Sequence, residues 1–446
     1  MQLPLKQIKK EVHIETGVGL HPLISLFLPL TKTEHYDLKP LQSILRFNAL
    51  PSSVRNNILR LYAIKVAKWF MLVMPVIVPF YESNGLTLQD IMTLKAVYSV
   101  VIVVFEIPSG YLADVLGRKN TLVAGALLGT AGYVAYSFSF GFAGFLVAEI
   151  VLGAGQSMIS GADSALLYDT LAEHEKEEQY TRYEGNTISI GNFAESFAGL
   201  AGGFLALISL RTPFYAQAIV AFIAIPAALT LHEPSKDPNS VRMRFRDILL
   251  VVKIALISDP KLRINIFFSS VIGAATLSMA WFVQPIFKFA GVPLALYGIL
   301  WTGLNVSAGI FSALAYRLER ILGERTLLIL ICASIPGGFI LSSLIDSRWV
   351  LLILMLFYFM RGIATPVLKD YINRLTRSDM RATVLSVRSF VIRILFAIIA
   401  PLMGRVSDVY DVGISLMVSG IIFSVILLPL LIIYIKRVTG HYSIDY

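Results

Sequence analysis

Apolar runs of about 20 residues, parted by short polar breaks, recur along this chain from Tyr62 to Ile435. Each is long enough to cross roughly 30 Å of hydrocarbon as an α-helix. They do not alternate as membrane β-strands would, and Ile421–Ile435 runs apolar through both strand faces. The pattern predicts twelve spans, the first six at 59–81, 89–112, 119–139, 143–170, 184–209 and 213–231. The second six are predicted at 264–288, 293–316, 326–345, 349–371, 382–404 and 413–435. Between the sets lies the longest polar break, His232–Arg263, whose middle, Arg242–Ile257, alternates basic and apolar faces and reads as an amphipathic surface helix. The expected fold is an all-α polytopic membrane protein with six-helix bundles at 58–231 and 264–436. A cytoplasmic extension (1–57), a linker (232–263) and a tail (437–446) complete it.

Sorting the loops by Lys and Arg orients the helices. The loops after spans 2, 4, 8 and 10 carry Arg118 and Lys119; Lys176 and Arg182; Arg317, Arg320 and Arg325; and Lys369, Arg374, Arg377 and Arg381. The linker and Lys436–Arg437 share that side, whereas the opposite loops offer only Arg211, Lys288, Arg348 and Arg405. Basic loops stay cytoplasmic, so both termini are expected there. Spans 3, 6, 9 and 12 hold no ionisable residue in their interiors. Spans 2 (Lys95, Glu106), 4 (Glu149, Asp163), 5 (Glu195), 10 (Arg361) and 11 (Arg388, Arg393) do. A charge at the bilayer centre costs about 2.5–3.5 kcal/mol on insertion scales, so these groups turn inward and every third helix is peripheral.

Composition agrees: of 446 residues 56% are hydrophobic and 15% charged, where a soluble domain has roughly a quarter charged. The net charge of +9 belongs to the topology-setting loops and does not imply nucleic acid. Cys332 is the single cysteine, which excludes an internal disulfide or a cysteine-based metal site. Met1–Asn57 does not read as a signal peptide, because Leu23–Leu30 is short, contains Pro29 and follows a long polar lead.

Phe105–Leu122 closes one apolar run, turns and opens the next, with Gly110 and Gly117 placed to let backbones approach. Gly110, Leu112, Asp114, Gly117, Arg118 and Lys119 resemble the signature loop between the second and third helices of the major facilitator superfamily of transporters. Val115 stands where that family often has a basic residue. Gly153-Ala154-Gly155 is similar to the family's helix 4 motif, with Glu149 in place of its arginine. Gly199-Leu200-Ala201-Gly202-Gly203 resembles the helix 5 signature of exporters without its proline, which tilts the reading toward the drug/proton antiporter branch. The resemblance implies two six-helix bundles with helices 1, 4, 7 and 10 lining a central cavity. It also implies that the Asp114–Arg118 cluster latches the bundles together when the cavity opens outward. By its own chemistry Asp114 suits the positive N-terminal end of a neighbouring helix, while Arg118 can reach Asp169. Arg317–Arg325 looks like a degenerate second copy of the loop.

Glu149, Gly153, Ser157, Gly161, Ala165 and Asp169 recur every four residues and form one helical stripe. Its small residues serve packing; its acids need another reason. Glu106, Glu149, Asp163 and Glu195 in the first bundle face Arg361, Arg388 and Arg393 in the second as a shifting ion-pair set, as proton carriers or as static pairs. Lys95 and Glu106 share a face but lie about 16 Å apart by helix rise. As proton-coupling candidates the order is Glu149, Glu106, Asp163 and Glu195. Gln284, Trp281, Asn305 and the three arginines are cavity candidates, with Gln284 and Asn305 equally suited to satisfying backbone at a kink. Pro75, Pro79, Pro285, Pro336, Pro366 and Pro401 mark expected bends.

No phosphate-binding loop of the Gly-x-x-x-x-Gly-Lys-Ser/Thr form occurs, so ATP is not the driving force within this chain. The expectation is a secondary transporter of a small solute, monomeric, without cofactor, driven by a proton gradient and placed in a bacterial inner membrane. Export comes first; uptake or facilitated diffusion is the second reading. A membrane-embedded enzyme or a non-transporting receptor is the rival from another class.

Overall fold

The computed structural model of the protein describes residues 50–234, 252–377 and 380–437. Among them every regular element is helical. The first half comprises α1 (Ser52–Trp69), α2 (Ile77–Ser83), α3 (Leu88–Leu116), α4 (Arg118–Phe138), α5 (Gly141–Ile159), α6 (Ala162–Ala172), α7 (Tyr180–Ala206), α8 (Thr212–Phe222) and α9 (Ala224–Leu229). The second comprises α10 (Pro260–Phe289), α11 (Tyr297–Leu322), α12 (Glu324–Leu344), α13 (Val350–Leu375), α14 (Arg381–Val409) and α15 (Val412–Arg437). Eleven stretches among the described residues are long and apolar enough to cross a membrane, counting α1–α2, α5–α6 and α8–α9 as one each. The fifth predicted span coincides with α7, which is 27 residues long but carries Arg182, Glu184, Asn186, Asn192 and Glu195. Most of the expected surface helix Arg242–Ile257, the extension through residue 49 and the tail from 438 lie outside the described residues. A single π-helical turn, Ile254–Ser258, leads into α10.

Three predicted spans are broken, each for a local reason. Between α1 and α2 the chain passes through Pro75, which has no N–H to continue the helix. The exposed backbone is taken up by side chains: the Gln217 carboxamide oxygen accepts from the Leu72 N–H at 2.7 Å. Between α8 and α9 the helix is interrupted at Ile223. The fourth span was expected to be one helix carrying a continuous stripe; it is instead divided at Ser160 and Gly161, where Gly161 adopts φ +87°. That conformation ends α5 because only glycine reaches it without strain. Ala165 and Asp169 therefore belong to a separate helix from Glu149, Gly153 and Ser157.

The small residues bring helices together backbone to backbone. A Cβ on Gly155 would stand 2.9 Å from the Gly129 nitrogen, and one on Gly202 would stand 1.9 Å from the Leu72 oxygen. Gly203 and Gly298 meet in the same way between α7 and α11, so this stripe joins the two halves. Packing between the halves runs through α3 with α14 and α7 with α11. The helices free of interior charge, α4, α8–α9, α12 and α15, lie outside that packing, as the charge pattern requires.

The α3–α14 pair is asymmetric. At one end a Cβ on Gly404 would lie 2.7 Å from the Gln89 Cα and 2.8 Å from the Leu88 oxygen. Nearer the other end of α3, a Cβ on Gly110 would have nothing within 4 Å. The expected close approach at Gly110 is thus not made in this conformation, because α3 has no backbone against it there.

Candidate functional site

The sealed end of the halves is built around Lys95 and Glu149, 5% and 2% exposed. The ammonium of Lys95 pairs directly with Glu149 Oε1 and donates to Tyr81 Oη at 3.1 Å. Tyr81 Oη also donates to Glu149 Oε1, at 2.9 Å. Tyr136 shares a hydrogen bond with the Tyr81 hydroxyl, and Phe145 packs edge-on to the Tyr81 ring at 5.0 Å. The cluster draws on α2, α3, α4 and α5. From the second half, Trp281 of α10 places its ring 4.7 Å from the Lys95 ammonium. An indole face attracts a cation, so the buried pair is capped by the opposite half.

Further contacts between the halves gather toward the same end. Gln284 donates to the Met74 oxygen at 2.6 Å and accepts from the Val78 N–H at 2.9 Å, spanning the gap between α1 and α2. Its carboxamide is therefore engaged with backbone, the second of the two roles open to it. Asp408 of α14 accepts from the Leu88 and Gln89 N–H groups at 3.0 and 2.8 Å, placing a negative charge on the N-terminus of α3. Lys288 reaches Glu82 at 2.8 Å, an exposed pair of small energetic weight.

The remaining acids sit deeper toward the other end. Asp163 pairs with Lys65 of α1 at 3.6 Å. Glu106 lies within electrostatic range of Arg393, and Glu195 of Arg361, each across the two halves and without a direct ion pair among the described residues. The four carboxylates thus divide: Glu149 and Asp163 are met by lysines of their own half, while Glu106 and Glu195 lie near arginines across the interface. Arg361 lies 5.1 Å over the Tyr358 ring. Arg388 is 6% exposed and donates from Nε to the Ser269 hydroxyl, between α14 and α10. Asn305 donates to the Trp301 oxygen of its own helix at 3.0 Å.

At the α3–α4 turn, Gly117 adopts φ +94° and joins the helices as a single residue. Arg118 pairs with Asp169 at the end of α6 and donates to the Ala165 oxygen. The N-terminus of α4 is occupied by Glu233, which accepts from the Arg118 and Lys119 N–H groups at 2.9 and 2.6 Å. Gly323, φ +76°, joins α11 to α12 in the same way, and beside it Arg374 pairs with Glu319 at 3.2 Å.

Lys65, Lys68, Tyr81, Glu233 and Asp408 were not singled out by pattern. Lys65 and Lys68 were legible as lysines within the first predicted span. The other three depend on which helix ends meet.

A family model of the Major Facilitator Superfamily matches residues 66–399. The chain belongs to this superfamily. It is a multi-pass membrane transporter with the all-α superfamily fold. Among curated relatives, the quinolone resistance protein NorA of Staphylococcus aureus (strain MRSA252) is 27% identical over 172 residues, 38% of this chain and 43% of that protein. The chain thus spans less than half the length of that relative. The class B tetracycline resistance protein of Escherichia coli is 23% identical over 321 residues, 70% of this chain and 78% of the relative. The nucleoside transporter NupG superposes with a TM-score of 0.70 at 13% identity, covering 86% of this chain and 99% of NupG. A D-xylose-proton symporter superposes at 0.64 with 15% identity, covering 84% and 96%. These likenesses establish the shared fold.

Proposed function

We propose that the chain exports a drug-like or metabolite-sized solute in exchange for protons, by alternating access between bundles 58–231 and 264–436. Both termini are placed in the cytoplasm, because the basic loops crowd that side. The sealed end is then external, and the conformation is the one whose external gate is shut. The bacterial relatives, named for quinolone and tetracycline resistance, support export across an inner membrane.

The observation that carries the reading is the Lys95–Glu149 pair beneath Trp281. An acid and a base buried in one half, capped by a ring from the other, are uncovered when the halves part at this end. Water then reaches Glu149, and a proton taken up there dissolves the pair with Lys95. When the end reseals, the proton must pass to water on the cytoplasmic side before the pair reforms. This links the protonation of Glu149 to the facing state of the transporter. Glu106 and Glu195, facing Arg393 and Arg361, form a second set that changes as the halves rock. Gly110, Asp114, Gly117, Arg118, Lys119 and Asp169 form the latch of the opposite state. In that state Asp114 does for α14 what Asp408 does for α3 here. Asn305, Arg361 and Arg393 are assigned to solute contact, and the unit is a monomer.

The test is Glu149→Gln in liposomes. Substrate binding and counterflow should persist while accumulation driven by a pH gradient is lost. If the variant concentrates substrate as the parent does, Glu149 is a structural partner of Lys95 and not the coupling acid.

A further inference from the structure

Inside the first half, α1, α3, α4, α5, α8 and α9 line a partly open cavity of about 80 Å³. Most of its wall is apolar, but Lys68, Tyr98, Tyr133 and Gln156 also line it. None of these four side chains has a hydrogen bond or ion pair among the described residues. Thr130, also in the wall, spends its hydroxyl on the Ala126 oxygen at 2.9 Å. Lys68, Tyr98, Tyr133 and Gln156 are half-buried, and withdrawing a cation from water without a partner costs free energy. Lys68 can only donate, whereas the phenols and the carboxamide both donate and accept, so the ammonium is the group whose charge is left to be met.

The surrounding charges say what kind of acceptor. Lys68 feels Asp163, Lys65 and Arg393. Asp163 is held by Lys65, and Arg393 faces Glu106. Three cations, Lys65, Lys68 and Arg393, thus stand against two acids, Asp163 and Glu106, leaving one positive charge in excess at Lys68. The phenols of Tyr98 and Tyr133 and the amide of Gln156 are neutral; both phenols also feel Glu149, whose charge Lys95 balances. The volume is too small for a drug-sized ligand, whose pockets run to about 300–1,000 Å³. It suits two or three water-sized groups at about 30 Å³ each.

We propose that this cavity binds a small monovalent anionic group, held by the Lys68 ammonium and the hydroxyls of Tyr98 and Tyr133. The group is a free halide with a water, or a carboxylate carried by the transported solute. Its test reads binding without transport, so its failure is distinguishable from a failure of proton coupling through Glu149.

Thermal unfolding of the purified full chain is followed in sodium methanesulfonate, which has no carboxylate, while sodium chloride or sodium acetate replaces it at constant ionic strength. A saturable rise in Tm is expected. Chloride alone raising it identifies a free halide; acetate raising it identifies a carboxylate. Lys68→Met should move the half-effect concentration up by about tenfold or more, the scale of one charge-assisted hydrogen bond. Should that variant not fold, Tyr98→Phe with Tyr133→Phe carries the test, with a smaller shift in the same direction. A Tm indifferent to both anions, or an unchanged anion response in the folded variants, overturns the proposal.

Discussion

The α3–α14 pair offers a perturbation with opposite signs at its two ends. At Gly404 an added Cβ would stand 2.7, 2.8 and 2.9 Å from Gln89 Cα, Leu88 O and Gln89 N. All three are backbone atoms of a helix N-terminus tied to Asp408, so the helices themselves must part. Overpacking of this kind costs about 1–3 kcal/mol, and the cost falls only on the state in which this end is shut. The equilibrium should then move about 5- to 150-fold toward the state open at this end. At Gly110, which is exposed, an added Cβ has nothing within 4 Å in the present conformation, so Gly110→Leu starts into open space here. Its cost arises when α3 and α14 close at the other end, and the equilibrium moves the opposite way. Spin-label distances between Ser83 and Leu296, both exposed at the sealed end, read the first change in a Cys332→Ser background. Asn120 and Arg325, both exposed, read the other end. Gly404→Leu should lengthen the Ser83–Leu296 distribution, Gly404→Ala should do so less, and Gly110→Leu should hold it short. Two variants moving in the same direction, or no response to Gly404→Leu, would refute the rocking of this helix pair.

Gln284→Leu removes two hydrogen bonds between the halves and strands the Val78 N–H and the Met74 oxygen. The loss, about 1–3 kcal/mol for each unsatisfied group that stays buried, should also lengthen Ser83–Leu296. Arg118→Ala and Asp169→Asn should each impair transport with the protein still inserted, and their effects on the conformational equilibrium should be less than additive. Strict additivity in a double-mutant cycle would argue against the pair, whose side chains are 25% and 33% exposed. Gly202→Ala forces a Cβ to 1.9 Å from the Leu72 oxygen within one half, so it should lower Tm without favouring either facing state. A normal Tm, or a selective change at one end only, would contradict that reading.

Membrane crossings were legible in the sequence because apolar length is a local property, and the peripheral helices were legible because absence of charge is too. Pairing was less so, since it depends on which helices meet. Glu149 stood out by replacing an arginine in the family pattern, but Lys95, 54 residues away, became its partner only through the packing of α3 on α5. The break at Gly161 hid inside the regular spacing of glycines that suggested one helix. One residue type serves both purposes there: Gly155 is small because α4 lies against it, while Gly161 is a joint because its φ is +87°. Lys65 and Lys68 lie within the first predicted span, and nothing in their spacing says which acid or space each one meets. The two have different fates. Lys65 finds Asp163 at 3.6 Å, while Lys68, three positions on and so on a neighbouring part of the helix surface, turns toward the cavity. One acid cannot neutralise both, and that arithmetic, invisible until the helices are placed, makes the first half a candidate anion site.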